Sequence, residues 1–325
     1  SGDGSVRVYH PPEKRVIKAI HGLGDEVSSL ALSRNSHGQQ ENGRVWIASG
    51  THARLFDLGL DKLLLSVSDA SDCFKVGEED DLLNEIAVSF NGKTIAFSID
   101  SGAVGVVDVP SRRIRRMKTR HANICGSVSF IPERQKELVS GGYDSALLHF
   151  DHTLGNISSR KDFAAISQTP GISLSPPFIL CLSVSSNAII AAGTADGHLW
   201  IGCGGEAQTP GAKKAKKWLG LDETRGMSIK VAEGPVVAVK FIDDTKILAC
   251  TLLGMLVLHT LSNEDGQSPF AVTRLWAMQA PRDLAKVNAL AITDAAFAIG
   301  GLDKNGKGVV CIIPRHLRNA ETVER

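Results

Sequence analysis

The feature that most constrains the fold is a repeated order of short strands and turns. Its clearest copy begins at His121 and runs to about Phe163. In this copy, runs of small and apolar residues over 124–130, 137–142 and 146–151 are separated by polar turns. Each run is five to seven residues long, rich in β-formers and bounded by turn residues. This pattern is typical of strands and not of helices.

Five further segments repeat this order: a first strand, a second strand ending in small residues, a turn and an apolar third strand. Their first strands are predicted at residues 27–32, 85–90, 180–184, 236–241 and 287–292. The chain also opens within a unit, because residues 1–9 form a predicted turn followed by a third strand. The sequence shows no amphipathic helix longer than about two turns.

Six units and one partial unit predict an all-β fold, a β-propeller of seven blades. In this fold, short antiparallel strands repeat radially and closure of the ring protects their edges. The first blade is incomplete in this numbering, so six blades with a different closure are the alternative, and a pair of β-sandwiches is the less favoured rival. We predict one propeller domain over residues 1–316, a basic insertion loop at about 203–218 and a polar tail at 317–325.

The turn Ser-Gly-x-Asp, followed by an apolar strand that ends in an aromatic and an acidic residue, resembles the WD40 repeat. WD40 repeats link a His, a Ser or Thr, an Asp and a Trp by hydrogen bonds. The resemblance places His121, Ser140, Asp144 and Phe150 at these positions. Phenylalanine has no indole N–H, so the network is expected to have three members. We interpret His121 and Asp144 as residues that lock a turn, not as an acid–base pair.

Residues 78–150 are similar to the family of WD repeat-containing protein 53, and the segment 120–125 (Arg-His-Ala-Asn-Ile-Cys) is the most specific part. The acidic run 78–81 and the segment 286–288, which opens the last blade, fit the same family. The resemblance implies a non-enzymatic scaffold and a candidate substrate receptor of cullin-4 ubiquitin ligases, which docks through a propeller-built adaptor.

Receptors of this kind place an acidic residue after the blade aromatic and an arginine two positions beyond it. The resemblance therefore marks four adaptor-docking candidates: Phe56, Asp57, Phe150 and Asp151. The arginine position holds Gly59 and Thr153. Neither residue replaces the planar, bidentate fork of arginine, so the docking arginine is absent here.

Charge is nearly balanced, with 36 Lys and Arg against 35 Asp and Glu, which argues against a globally basic nucleic-acid binder. Locally, however, residues 112–120 carry six positive charges. On an outermost strand they form a solvated rim that discourages edge-to-edge pairing, and the alternative is a contact for an acidic peptide or phosphate. The acidic run 78–81 is a possible complement on a neighbouring blade. The partner-binding candidates are Tyr143, Arg120, Arg112, Arg113, Arg115 and Arg116.

Tyr143 precedes the turn residue Asp144, and we predict an exposed-loop aromatic suited to anchor a partner, with Arg120 beside it.

A second basic cluster consists of Lys213, Lys214, Lys216 and Lys217. It favours either a solvated loop or a nuclear-import or phosphate-backbone contact. The alternative function is therefore a chromatin- or RNA-associated factor. Interleaved aromatics that stack on bases are missing from residues 112–120, which weakens the case for single-stranded nucleic acid.

Catalytic and metal-binding motifs are absent from the sequence, which has no G-x-S-x-G, H-E-x-x-H, P-loop or C-x-x-C. We predict no enzymatic activity, no cofactor and no metal, with protein or peptide partners in the cytoplasm or nucleus. No membrane association is expected, because the longest apolar stretch, 247–261, is broken by Gly254 into two predicted strands. The six cysteines are interpreted as reduced core thiols.

Overall fold

The computed structural model describes residues 1–13, 15–35, 37–163, 175–202, 217–262, 271–281 and 283–315. These ranges contain twenty-six strands in seven small sheets and no α-helix. Single 3-10 turns occur at Val67–Asp69 and Glu223–Arg225. The chain divides into two compact units, Ser1–Arg160 and Lys161–Arg325. Each sheet is called a blade below, and the blades are numbered in chain order.

Four blades are formed by strands that begin in the first unit. Blade 1 consists of β1 (Val6–His10), β2 (Arg15–His21) and β6 (Leu64–Ser66). Blade 2 consists of β3 (Val27–Arg34), β4 (Gln40–Ser49), β5 (His52–Asp57) and β7 (Asp72–Lys75). Blade 3 consists of β8 (Leu83–Val88), β9 (Thr94–Ile99), β10 (Val104–Asp108) and β11 (Arg113–Arg116). Blade 4 consists of β12 (Cys125–Phe130), β13 (Glu137–Gly142), β14 (Ala146–Asp151) and β15 (Asn156–Asp162).

Three blades are formed in the second unit. Blade 5 consists of β16 (Ile179–Val184), β17 (Ile190–Thr194), β18 (His198–Gly202) and β19 (Gly226–Lys230). Blade 6 consists of β20 (Val236–Asp243), β21 (Lys246–Thr251), β22 (Met255–Ser262) and β23 (Ala271–Gln279). Blade 7 consists of β24 (Lys286–Ile292), β25 (Ala296–Leu302) and β26 (Gly308–Pro314).

The seven blades confirm the predicted seven-bladed β-propeller, and the six-bladed and β-sandwich alternatives are wrong. Blade 1 contains the predicted partial unit. Its β1 and β2 pair antiparallel, and the short β6 adds to β2 in parallel. The single domain over residues 1–316 stays a prediction, while the tail and most of the insertion loop lie outside the described residues.

The second strands of blades 3 to 6 are buried along almost their whole length. In β9, β13 and β21 every residue after the first is buried, without the alternation of a sheet that has one wet face. Continuous burial is expected for strands covered on both faces. In the first unit, the core between blades 2 and 3 includes Trp46, Phe74 and Phe97. The rings of Trp46 and Phe74 lie with their centroids 5.9 Å apart.

Neighbouring blades are also joined by hydrogen bonds between their first strands. The pairing of β3 with β4, and that of β8 with β9, shifts register near the start of the first strand. Ser29 Oγ, which follows the first of these shifts, accepts a hydrogen bond from the amide of Ile86 at 3.2 Å. Glu85 Oε2, which follows the second, accepts one from the amide of Val128 at 2.8 Å. The irregular start of one strand therefore aligns the next blade.

Candidate functional site

Three of the residues that the WD40 resemblance singled out meet inside blade 4. His121 precedes β12, and its Nδ1 lies 2.8 Å from Asp144 Oδ1 in the turn between β13 and β14. Its Nε2 lies 2.8 Å from Ser140 Oγ on β13. The second oxygen of Asp144 accepts a hydrogen bond from the amide of Ala122 at 3.0 Å. One buried imidazole thus ties together a loop, a strand and a turn.

The network is closed to solvent, since His121 and Ser140 are 1% and 0% exposed. Burial opposes the charge on Asp144, but the hydrogen bond and the positive potential of His121 still hold the pKa of this carboxyl below its usual range. A Cβ at Gly142 would lie only 2.4 Å from His121 Nδ1, so this strand end accommodates glycine alone. Buried and fully hydrogen-bonded groups of this kind stabilise a turn.

The aromatic position of this repeat contributes to the core and offers no polar atom. Phe150 is fully buried and packs with Val106, Met117 and Leu138 between blades 3 and 4. Phe56 of blade 2 is equally buried. Both phenylalanines therefore belong to the core, and their role as adaptor-docking candidates stays a prediction.

The two acidic docking candidates cap the turns that follow their strands. Asp57 Oδ1 accepts a hydrogen bond from the amide of Gly59 at 2.7 Å. Asp151 Oδ1 accepts hydrogen bonds from the amides of Thr153 and Leu154 at 2.8 and 3.2 Å. Both aspartates remain partly exposed. Gly59 and Thr153, at the positions of the docking arginine, are part of these turns.

Tyr143 differs from its prediction because it is half-buried and not an exposed aromatic. Its amide donates a hydrogen bond to the carbonyl of Ile124 at 2.8 Å. Burial, and to a lesser degree the negative charge of Asp100, raises the pKa of its phenol. Arg120 is exposed and forms no ion pair with any residue in the described ranges. Of the two candidates, only Arg120 is exposed.

The basic segment 112–120 includes β11, the outermost strand of blade 3, and all four residues of β11 are exposed. The guanidinium of Arg112 pairs with the carboxylate of Asp72, donates to the carbonyl of Cys73 at 3.0 Å and lies 4.6 Å from the ring centre of Phe74. Arg116 donates to the carbonyl of Val76 at 3.1 Å and approaches Glu78. These two arginines join blade 3 to blade 2, and Arg116 pairs with the acidic run as expected.

Other cations of this segment contact blade 4, the next blade along the chain. Arg115 donates to the carbonyls of His152 and Thr153. Lys118 Nζ donates to Asn156 Oδ1 at 2.9 Å. Arg113 is exposed and forms no ion pair within the described part of the chain. Arg113 and Arg120 are therefore the cations of the segment that remain available for a partner.

A shallow groove of about 660 Å³ lies beside β11 and the end of β7. Its lining consists of Lys75, Val76, Gly77, Glu78, Glu79, Ile114 and Arg116. Both signs of charge line the groove, and the half-exposed Ile114 contributes apolar surface. Such a groove suits an extended peptide with mixed side chains better than a small apolar ligand.

Three of the four lysines of the basic loop, Lys213, Lys214 and Lys216, lie outside the described residues. Lys217 is exposed, whereas the neighbouring Trp218 is buried and donates its indole N–H to the carbonyl of Ala188 at 2.9 Å. Sequence reasoning missed this anchor. Its signal was a lone tryptophan directly after a lysine run, since a large aromatic is rarely left in solvent.

Three other features bear on the sequence expectations. Cys125 and Cys250 are buried, and burial raises the pKa of each thiol to about 12, but Cys73 is exposed. Within the described ranges, no three His, Cys, Asp or Glu side chains cluster as metal ligands would. The same residues include no helix with the length and apolarity needed to span a membrane.

Comparison with known proteins gives a partial match. No protein-family model matches the chain. The chain is 23% identical over 163 residues to a WD repeat-containing protein 53 homolog of Dictyostelium discoideum. The match covers 45% of this chain and 43% of that relative, so the chain spans less than half of the relative's length. Together, this match, the seven blades and the buried His–Ser–Asp network of blade 4 support a WD40 propeller.

Proposed function

We propose that this chain is a non-enzymatic protein-interaction scaffold that binds an extended, acidic segment of a partner along β11 and the adjoining groove. The observation that carries the proposal is that the arginines of residues 112–120 fall into two groups. Arg112, Arg115 and Arg116 are engaged by blades 2 and 4, whereas Arg113 and Arg120 are exposed and without ion pairs in the described ranges. The fixed arginines hold the strand in place, and the other two can pair with a ligand.

The edge position of β11 adds a second recognition element. An outermost strand has one edge that is not paired within its sheet, and extended peptides bind such edges by main-chain hydrogen bonds. Positive side chains on the strand disfavour pairing with a second basic edge and favour an acidic partner. Ile114 adds apolar contact area in the groove.

The test is affinity purification of the tagged protein from its own cells, followed by mass spectrometry. The variant Arg113→Glu/Arg120→Glu reverses the two available cations, and Lys304→Glu reverses an exposed cation of blade 7 as the matched control. We expect partners to be lost from the double variant and retained by the control. An unchanged partner list in a folded double variant contradicts the proposal.

A finer proposal is that the scaffold is a substrate receptor of a cullin-4 ubiquitin ligase. The partial exposure of Asp57 and Asp151 after their blade aromatics supports it, although glycine and threonine occupy the arginine positions. Recovery of the cullin-4 adaptor with the wild-type protein, and its loss on Asp151→Arg, would support this receptor role. An adaptor-free partner list would contradict it while leaving the general scaffold proposal intact.

A chromatin- or RNA-associated role is the alternative, and it depends on Lys217 with its neighbouring lysines and on the basic segment. Nucleic-acid binding should weaken steeply with salt, because each neutralised phosphate releases counterions, whereas peptide binding with few charges should weaken less. Titration of a labelled duplex between low and physiological salt therefore separates the two. Localisation in the cytoplasm or nucleus stays a prediction.

A further inference from the structure

Arg54 is a buried cation whose donors are not used. It lies on β5, the third strand of blade 2, and is 8% exposed. Its Nε and Nη1 atoms are buried and have no hydrogen-bond partner among the described residues. A buried guanidinium is normally paired, because removing an ion from water without a partner is costly. The unused donors therefore point to a missing acceptor.

Two further basic side chains lie near Arg54 on the same face of blade 2. In the pairing of β5 with β7, His52 lies opposite Lys75 and Arg54 lies opposite Cys73. Directly paired residues project from one face of a sheet. Burial first, and then the charges of Arg54 and Lys75, lower the pKa of His52, against a smaller opposing effect of Asp25. Positive potential is thus concentrated at this face.

The cluster extends from the surface to the buried guanidinium. Lys75 and Cys73 on β7 are exposed, His52 is partly buried, and Arg54 on the inner neighbour strand is the deepest. Lys75 also lines the groove beside β11. The ammonium of Lys75 therefore marks the solvent side of the cluster, and the guanidinium of Arg54 marks its buried side.

We propose that Arg54, Lys75 and His52 form a binding site for an oxyanion, either a phosphate or a carboxylate. The planar fork of arginine matches the geometry of both groups and can bind them with two parallel hydrogen bonds. A point-like ammonium such as that of Lys75 strengthens the attraction without imposing geometry. Lys75 also lines the groove of the scaffold proposal. The partner-capture test uses Arg113 and Arg120, which are not part of this site, so the failure of one proposal can be told from the failure of the other.

The test compares thermal unfolding of the full chain in chloride and in inorganic phosphate at matched ionic strength, with phosphate affinity measured by calorimetric titration. The variants are Arg54→Met, Lys75→Met and, as the exposed control, Lys304→Met. We expect phosphate to raise the Tm of the wild type and of the control. Arg54→Met should bind phosphate at least tenfold more weakly, and Lys75→Met should fall between. In chloride, Arg54→Met should unfold no earlier than the wild type, because it removes a buried charge without a partner.

Three results would overturn the proposal. The first is a wild type that does not respond to phosphate, and the second is an equal response in all variants, which indicates an adventitious ion only. The third is a large loss of Tm in chloride for folded Arg54→Met, which indicates that the guanidinium is already paired. If Arg54→Met does not fold, Lys75→Met carries the test, and unchanged affinity contradicts the site. Acetate and O-phosphoserine as probes separate carboxylate from phosphate recognition.

Discussion

Blades 4 and 5 stabilise the turn after their second strand with different side-chain networks. In each blade the second strand ends at a residue paired with the start of the first strand, Gly142 with Cys125 and Thr194 with Ile179. In blade 4 the small Gly142 leaves room for His121, which joins residues 19 and 23 positions away. The turn of blade 4 is therefore held by long-range contacts.

Blade 5 has a threonine where blade 4 has this glycine. Thr194 Oγ1 accepts a hydrogen bond from the amide of His198 at 3.0 Å and contacts the carboxylate of Asp196, so its partners are only two and four positions away. Its side-chain network stabilises the turn itself, and the bond to the preceding loop is made by the backbone, from the amide of Ala195 to the carbonyl of Phe178 at 2.9 Å. The comparison shows that the aspartate after the second strand can be retained while its partners change from a distant histidine to local groups, the hydroxyl of Thr194 and the imidazole of His198.

The largest effect is expected from His121→Ala. It removes a buried side chain and leaves Ser140 and Asp144 without their shared partner, so the free energy of unfolding should fall by about 3 kcal/mol. Denaturant unfolding measures this, with the exposed His37→Ala as the matched control. A loss no larger than that of the control would show that the long-range network contributes little.

Asp144→Asn should cost about 2 kcal/mol at neutral pH, since the amide cannot replace the charge facing His121. The pKa of Asp144 is depressed in the folded state, so its contribution is present above the unfolded value of about 3.9 and is lost as pH falls through the folded pKa. The stability difference between wild type and variant should therefore shrink below about pH 4. A difference that does not change with pH would contradict a charged Asp144 in the network.

Thr194→Val should cost about 1 kcal/mol, because it removes one local acceptor and leaves the chain path unchanged. The exposed Thr273→Val on β23 is the control, and unfolding curves of both variants provide the measurement. If Thr194→Val costs as much as His121→Ala, the distinction between local and long-range turn locks does not hold.

Arg116→Ala should have the smallest effect, about 0.5 kcal/mol, because the pair with Glu78 is open to solvent at 39% and 80% side-chain exposure. The remaining effect should decrease in high salt, which screens exposed charges. Unfolding measured at low and high salt tests this. A salt-independent loss would attribute the effect to the hydrogen bond with the Val76 carbonyl.

Sequence reasoning predicted the first three strands of most blades but not the fourth. Strands β7, β15, β19 and β23 were missed, whereas β11 was recognised because its charges are so concentrated. Fourth strands are partly wet, as in β15, where only one of seven residues is buried. Their sequences therefore lack the apolar runs from which a strand is predicted.

At the candidate site, too, sequence-based prediction succeeded only where a local sequence pattern exists. His121, Ser140 and Asp144 have a sequence signature because their spacing is set by the length of two strands and a turn. The half-burial of Tyr143 and the unused donors of Arg54 have no such signature in the sequence. Both depend on which neighbouring strand covers the side chain.

By itself, the sequence determined the all-β class, the repeating blade unit and the turn-locking residues, because strand length, alternation and turn chemistry act over short stretches of chain. The structure decided between six and seven blades. Only the tertiary structure decided which arginines of residues 112–120 are tied to other blades, which aromatics are buried and where a cation is left without a partner. Those properties depend on contacts between residues that are distant in the sequence. Some pairs are 20 to 60 positions apart, and Arg116 and Val76, for example, are separated by 40 positions. Contacts over such distances are set by the packing of one blade on the next, which no local pattern encodes.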